Sequence, residues 1–344
     1  MEYYLQRLLI RSRGTWDTPA LPLNTLQVET RNRVSAGYAD GTYETVDMPC
    51  LCGANGGRLI AELDRYGLPS PSVLCRSCGL IRTTPRLTDD SLEAFYANDY
   101  RPLYDGFVDA QESFLRLQRT RGLNIMSFTK GFLGEGSRVV DLGCGAGYTL
   151  LAFEEDGHRV AGCDLGSAYL EAGRARGLDL RHGDYSVLAE MAPFDLVILS
   201  HVFEHLADPR QLARDIGPFL SPDGLIYIEV PGIQSIPVSH ADPLCYFQNA
   251  HLWSFDLGTL TDVMAEAGYR RVKGTEFVRA IFTPDASVLT NQGQNGFLRV
   301  SRALSYAEAM RNLSHLRRGA KTAARKLLGD KQASRLKRVL GRVP

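Results

Sequence analysis

One short stretch of this chain sets out a binding chemistry. Val139-Val140-Asp141-Leu142-Gly143-Cys144-Gly145-Ala146-Gly147 places a carboxylate two residues ahead of three glycines at alternate positions. Glycine lets the backbone turn sharply and approach a ligand with no Cβ in the way. The glycines alone would equally suit a dinucleotide, but Asp141 would repel a pyrophosphate and attract a cationic group such as an ammonium. Asp164 ends the next apolar run, about 20 residues on, where an acid can accept hydrogen bonds from both ribose hydroxyls. Asp184, after Gly183, is a further polar acceptor, suited to the edge of an adenine. One ligand carrying an ammonium, a ribose and an adenine satisfies all three acids.

A second constellation, Ser200-His201-Val202-Phe203-Glu204-His205, follows another apolar run. It matches the H-x-x-E-H pattern of an inverted zinc protease, yet its position at the end of a strand above the presumed ligand pocket argues against one. Ser200 is read on the cofactor side. Group transfer to a hydroxyl needs somewhere for the proton to go, and an imidazole with a pKa near ~6.5 is a suitable general base. His205 and His251, with Glu204 beside them, are the catalytic candidates, and a scaffolding hydrogen bond is the alternative for His205. The segment from Pro231 to Trp253 is longer than an ordinary connection and rich in His, Tyr, Phe and Gln. Such insertions are usually functional. It reads as an acceptor-binding lid with Tyr246, Phe247 and His251 toward substrate and Trp253 packing it down.

A third group is Cys50-Leu-Cys52-Gly53 and Cys75-Arg-Ser-Cys78-Gly79. Two thiolate-bearing knuckles, each followed by a glycine that permits a left-handed turn, are what structural zinc requires. The first pair is C-x-C rather than C-x-x-C, and buried free thiols are the competing reading.

These residues need elements to hold them. RVVDL, HRVAGCD, LDLRH, FDLVILS and GLIYIEV read as buried strands, with helices at Tyr148–Asp156, Ser167–Arg176 and Pro209–Phe219 between them. The alternation implies a doubly wound, mostly parallel sheet, whose ligands bind at the carboxyl ends of the strands. A helix over Ala110–Phe128 is expected to turn Phe114, Leu117, Leu123 and Met126 inward, and Arg31–Val46 alternates like one or two strands. The organisation expected is an unassigned segment 1–49, a zinc-binding module 50–100, a cofactor-binding domain 110–285 and a basic helical tail 286–344.

Motif by motif, the middle of the chain resembles a class I S-adenosylmethionine-dependent methyltransferase. VVDLGCGAGY is similar to the first motif of that superfamily, Asp164 to its ribose-binding acid, Asp184 to its adenine-edge acid and FDLVILSHVFEHLADP to its fourth-strand motif. The resemblance implies an α/β fold, a doubly wound seven-stranded Rossmann-like sheet, and S-adenosyl-L-methionine as cofactor. Glu204 and His205 resemble the E-H pair of ubiquinone-type O-methyltransferases, where such residues also hold a divalent ion. CLCG through CRSCGLIRTTPRLTDDSLEAFYANDYRPLY resembles the zinc-binding region preceding bacterial methyltransferases of sugar and polysaccharide gene clusters. About 70 residues follow Thr275, too few for the large C-terminal domain of deoxysugar C-methyltransferases. The expectation is therefore O-methylation of a sugar or glycan-linked hydroxyl. Alternatives are C-methylation of a deoxysugar, O-methylation of another small molecule, or a non-catalytic cofactor-binding partner in a glycan assembly complex.

The chain has 344 residues, 44% hydrophobic and 23% charged, and no run approaches the ~18 apolar residues of a membrane span. With no signal-peptide pattern at its start, a cytoplasmic location is expected. Residues 301–344 hold 12 Lys and Arg against 2 Asp and Glu, and the rest of the chain 27 against 37. The acidic body argues against nucleic acid. The tail, with Leu313, Leu316, Ala320, Ala323, Leu327, Leu336, Val339 and Leu340 at helical spacing, suits an anionic membrane surface or an acidic partner, or packing on its own body.

Overall fold

The computed structural model describes residues 19–107, 111–240, 242–289 and 295–313. Its strands are β1 (Thr45–Val46), β2 (Arg58–Leu63), β3 (Pro69–Leu74), β4 (Ile81–Thr83), β5 (Arg86–Leu87), β6 (Arg138–Leu142), β7 (Arg159–Asp164), β8 (Asp179–His182), β9 (Phe194–Ser200), β10 (Leu220–Glu229), β11 (Trp253–Ser254), β12 (Tyr269–Thr275) and β13 (Arg279–Pro284). Seven of them form one sheet in the order β12-β13-β10-β9-β6-β7-β8. The five from β10 to β8 are parallel, and β13 is antiparallel to both neighbours.

Parallel neighbours need crossovers, which the helices Leu151–Glu155, Ser167–Arg174 and Pro209–Ile216 supply with a 3-10 turn at Tyr185–Met191. Covered on both faces, β9 and β10 read as nearly continuous apolar runs. From β6 the chain winds outward through β7 to β8, then returns to lay β9 on the other side of β6. The carboxyl ends of β6 and β9 therefore flank the crevice where the winding reverses, the usual ligand position in such sheets.

A second sheet has the order β11-β4-β3-β2. Trp253 and Ser254 of the expected lid pair with Arg82 and Ile81 of the cysteine-bearing segment, and Cys50, Cys75 and Leu80 share one apolar core with Leu199, Phe203 and Trp253. A strand from segment 110–285 thus forms one edge of the sheet built by segment 50–100.

Two elements differ from the sequence reading. Residues 31–46 are strand only at their end: Thr25–Asp40 is a helix, and Thr45–Val46 pairs antiparallel with Arg86–Leu87. Asn24 and Gln27 form a reciprocal capping box, Gly41 closes the helix at φ 84°, and Val34 and Gly37 face inward. The helix Glu112–Thr129 forms as expected, but Leu117 and Leu123 are 56% and 46% exposed. Its inner face is Gln118, Gly122, Ile125 and Thr129. Close approach decides this, because a Cβ on Gly122 would lie 2.1 Å from the Thr149 carbonyl oxygen. Residues 296–313 are helical, while Leu316 to Leu340 of the expected tail lie outside the described residues. Among the described residues no helix is long and apolar enough to cross a membrane.

Candidate functional site

The loop after β6 takes the conformations its glycines allow. Gly143, Gly145 and Gly147 have φ of 76°, 56° and 71°, values costly for a residue with a Cβ. Each also has a neighbour where a side chain would go. A Cβ on Gly143 would meet Val202 at 2.4 Å, one on Gly145 the Gln118 amide nitrogen at 2.9 Å, and one on Gly147 Leu180 at 2.7 Å. The first contact pins the β6 loop against the β9 loop.

Asp141 is buried at the end of β6. Burial pushes its carboxyl up to about 8, helped by Asp164 and opposed by the Arg121 charge. Asp164, ending β7, accepts 2.7 Å hydrogen bonds from the Gly145 and Gly166 amides, one on each oxygen. Each carboxylate oxygen has two lone pairs, so capacity remains for a diol. Asp184 follows β8, exposed, and accepts from the amide and hydroxyl of Ser186, which hold its carboxyl below its usual value. Ser200 ends β9 with a buried hydroxyl that has no partner among the described residues.

The acceptor candidates converge. Glu204 is 1% exposed, and its Oε1 lies 3.4 Å from His201 Nδ1 and 3.9 Å from Nε2 of both His205 and His251. The His205 and His251 rings meet edge to face at 89° with centroids 4.8 Å apart. His205 Nδ1 lies 3.0 Å from the Ala250 carbonyl and 2.7 Å from the Tyr96 hydroxyl. Burial pushes the His205 and His251 imidazoles below their usual value, His251 strongly. Burial alone would raise Glu204. Its carboxyl is instead held down at about 2 by the His201 hydrogen bond and by positive charge on His205, His201 and His251. His201 sits at the mouth, 35% exposed, at φ 58°.

The lid differs from its reading. Tyr246 and Phe247 are each 2% exposed and belong to an apolar core with Ile233, Leu244 and Val300, Tyr246 donating to the Pro231 carbonyl. They brace the lid. His251 does join the cluster, and the Trp253 indole donates to the Leu206 carbonyl. Sequence reasoning missed Tyr96, Tyr100 and Arg101, which cover the site from the N-terminal side. Arg101 stacks on Tyr169, 4.2 Å from its centroid, and pairs with Asp105 at 2.9 Å. The tyrosine-dense run Tyr96 to Tyr104 was the available signal. Gln118, which donates to the Cys144 carbonyl at 3.0 Å, carried none.

The four cysteines also converge. Cys50 and Cys78 sulfurs are 3.5 Å apart, Cys52 and Cys75 3.6 Å, and all four lie within 4.8 Å of one another. A tetrahedral Zn–S length near ~2.3 Å implies sulfur separations of roughly 3.8 Å, so the set fits zinc. Gly53 and Gly79 turn at φ 82° and 81°, and their amides donate to Cys50 and Cys75 carbonyls. Thiol donors from Cys50 and Cys78 pull the Cys75 thiol well down.

Residues 114–273 match a family model described as a methyltransferase domain. This segment is an S-adenosylmethionine-dependent methyltransferase domain. The domain is 32% identical over 111 residues to a ubiquinone biosynthesis O-methyltransferase of Idiomarina loihiensis, an alignment covering 30% of this chain and 45% of that protein. C-methyltransferase NovU of Streptomyces niveus is 25% identical over 226 residues, covering 63% of this chain and 51% of NovU. The chain thus spans about half the length of these curated relatives. Among solved structures, the PH0226 protein of Pyrococcus horikoshii aligns at 15% identity with a TM-score of 0.43, covering 55% of this chain and 99% of that one.

Proposed function

We propose that the chain transfers the methyl group of S-adenosylmethionine to a hydroxyl of a sugar or glycan-linked acceptor. One observation carries the reading: Glu204 and His205 stand just beyond the end of β9, in the loop where Val202 presses against Gly143, and His251 meets them from the lid. Asp141 would face the cofactor's ammonium, Asp164 its ribose and Asp184 its adenine, with Leu165, 75% exposed beside Asp164, offering the ring an apolar surface. Ser200 lies between the two halves. An acceptor hydroxyl bound against the cluster would lose its proton toward those imidazoles and Glu204 as the methyl group arrives. Orientation in line with the sulfonium methyl would supply much of the rate.

Structural zinc on Cys50, Cys52, Cys75 and Cys78 completes this reading. Four thiolates fill a tetrahedral shell and leave no open position for catalysis. Its role would be to fix the β2–β4 sheet that holds the lid.

A second reading, C-methylation, is favoured by the NovU match, which covers twice as much of this chain as the ubiquinone-enzyme match does. Incubation with S-adenosylmethionine labelled in its methyl group and a panel of nucleotide-linked hexoses, followed by mass spectrometry and NMR, separates the two. A methoxy product supports the first reading and a methyl group on carbon the second. Cofactor binding with no transfer to sugars or glycan extracts would overturn both.

A further inference from the structure

We propose that the outer face of helix 296–313, with the basic segment that follows it, is a docking surface for an anionic lipid bilayer. The inference stands on different residues from the methyl-transfer reading and does not depend on it. The helix has two faces. Val300, Ala303, Leu304 and Ala307 are buried and join Ile233, Leu244, Tyr246 and Phe247 in the apolar core of the lid. On the opposite side Leu298, Tyr306, Met310 and Leu313 are between 38% and 59% exposed. Their spacing sets them in one row along the helix, with the exposed Arg302 between the first two. Single exposed apolar residues are ordinary, whereas a row of them on one face marks a contact surface.

The sequence continues the outer row and not the inner one. Counting on from Met310 and Leu313 at helical spacing reaches Leu316, Ala320, Ala323 and Leu327, whereas counting on from Ala303, Leu304 and Ala307 reaches Arg311, Ser314, His315, Arg318 and Thr322. The stripe that buries against the chain's own body thus stops near Ala307. The stripe that faces away from it goes on.

Charge selects the occupant. Residues 314–344 hold 10 Lys and Arg against 1 Asp, and Arg318, Lys321, Arg325 and Lys326 all fall off the apolar row at that spacing. Cations alone would suit any acidic partner. An apolar row flanked by cations suits a surface that presents acyl chains beside anionic head groups. Among the described residues no helix is long and apolar enough to cross a bilayer, so the contact proposed lies in the plane of the membrane surface. Because the inner face of the same helix packs on the lid, docking would hold the lid close to the bilayer.

Full-length protein is sedimented with vesicles of phosphatidylcholine alone, or of phosphatidylcholine and phosphatidylglycerol in equal parts, at low and at high salt. Binding is expected to the phosphatidylglycerol vesicles only, and to weaken as salt rises. A Tyr306→Ser, Met310→Ser, Leu313→Ser triple variant should bind at least about tenfold more weakly, and so should an Arg318→Gln, Lys321→Gln, Arg325→Gln, Lys326→Gln variant. The serine substitutions lie on the exposed face and leave the lid core intact, which circular dichroism checks. No binding to the anionic vesicles, equal binding to both vesicle types, or unchanged binding in the triple serine variant overturns the proposal. Methyl transfer in solution is measured separately, so failure of the surface and failure of the methyl-transfer reading are told apart.

Discussion

Thr83 Oγ1 donates a 2.8 Å hydrogen bond to the main-chain carbonyl of His251, joining the cysteine-bearing sheet to the lid of the methyltransferase domain. Both groups are buried, so Thr83→Val should cost about 1–3 kcal/mol by leaving the carbonyl unsatisfied. Chemical denaturation measures that. With an identified acceptor, the KM for acceptor should rise while cofactor affinity stays unchanged. A variant with wild-type acceptor kinetics would show that this bond does not position His251.

The same coupling applies to metal removal. Metal analysis of protein purified without chelators should give one zinc per chain at the cysteine cluster, lost in Cys75→Ser or Cys78→Ser. Instability is the primary expected effect, because a filled tetrahedral shell contributes folding energy rather than chemistry. Full zinc retention in both variants would overturn the assignment.

Asp164 ties the cofactor loop through Gly145 and Gly166. Asp164→Ala should weaken S-adenosylmethionine binding by about 1–3 kcal/mol, the cost of leaving buried hydrogen-bond partners unmade. Calorimetry on a folded variant decides the matter, and unchanged affinity would mean that the ribose sits elsewhere.

Asp141 gives the binding reaction a pH dependence. Without cofactor, burial keeps its carboxyl protonated up to about 8, whereas an ammonium partner requires the carboxylate. Binding must therefore release a proton below that pH, and affinity should climb from pH 6 toward 8 by at most about tenfold per unit. The same shift means the cofactor-free fold loses stability from this group as pH rises from about 4, where the unfolded carboxyl ionises, through about 8. Calorimetry in buffers of different ionisation enthalpy counts the proton directly. Asp141→Asn should abolish the release.

His205→Ala and His251→Ala should each lower turnover about 10²–10⁴-fold with cofactor affinity retained, as expected of groups acting on the acceptor proton. Near-normal turnover in both single variants with the true acceptor would make the histidines scaffolding.

Local chemistry made the glycine loop after β6 and the acids around it legible in the sequence. The glycines after β6 need left-handed backbone, the acids close consecutive strands, and the buried runs of β6 to β10 alternate with helices, all signals carried by neighbouring residues. The four cysteines were legible for the same reason, since each pair sits in its own turn. Tertiary structure decided what local pattern could not. The alternation in residues 31–46 is that of a helix whose cap is set by Asn24 and Gln27. The inner face of Glu112–Thr129 is chosen by the close approach of Gly122 to Thr149 rather than by its leucines. The sequence named Glu204, His205 and His251 separately, but only the pairing of β11 with β4 brings His251 to the carboxylate. Tyr96 reaches His205 from a helix far earlier in the chain. Such meetings are fixed by burial and strand pairing between distant segments, and no local periodicity encodes them.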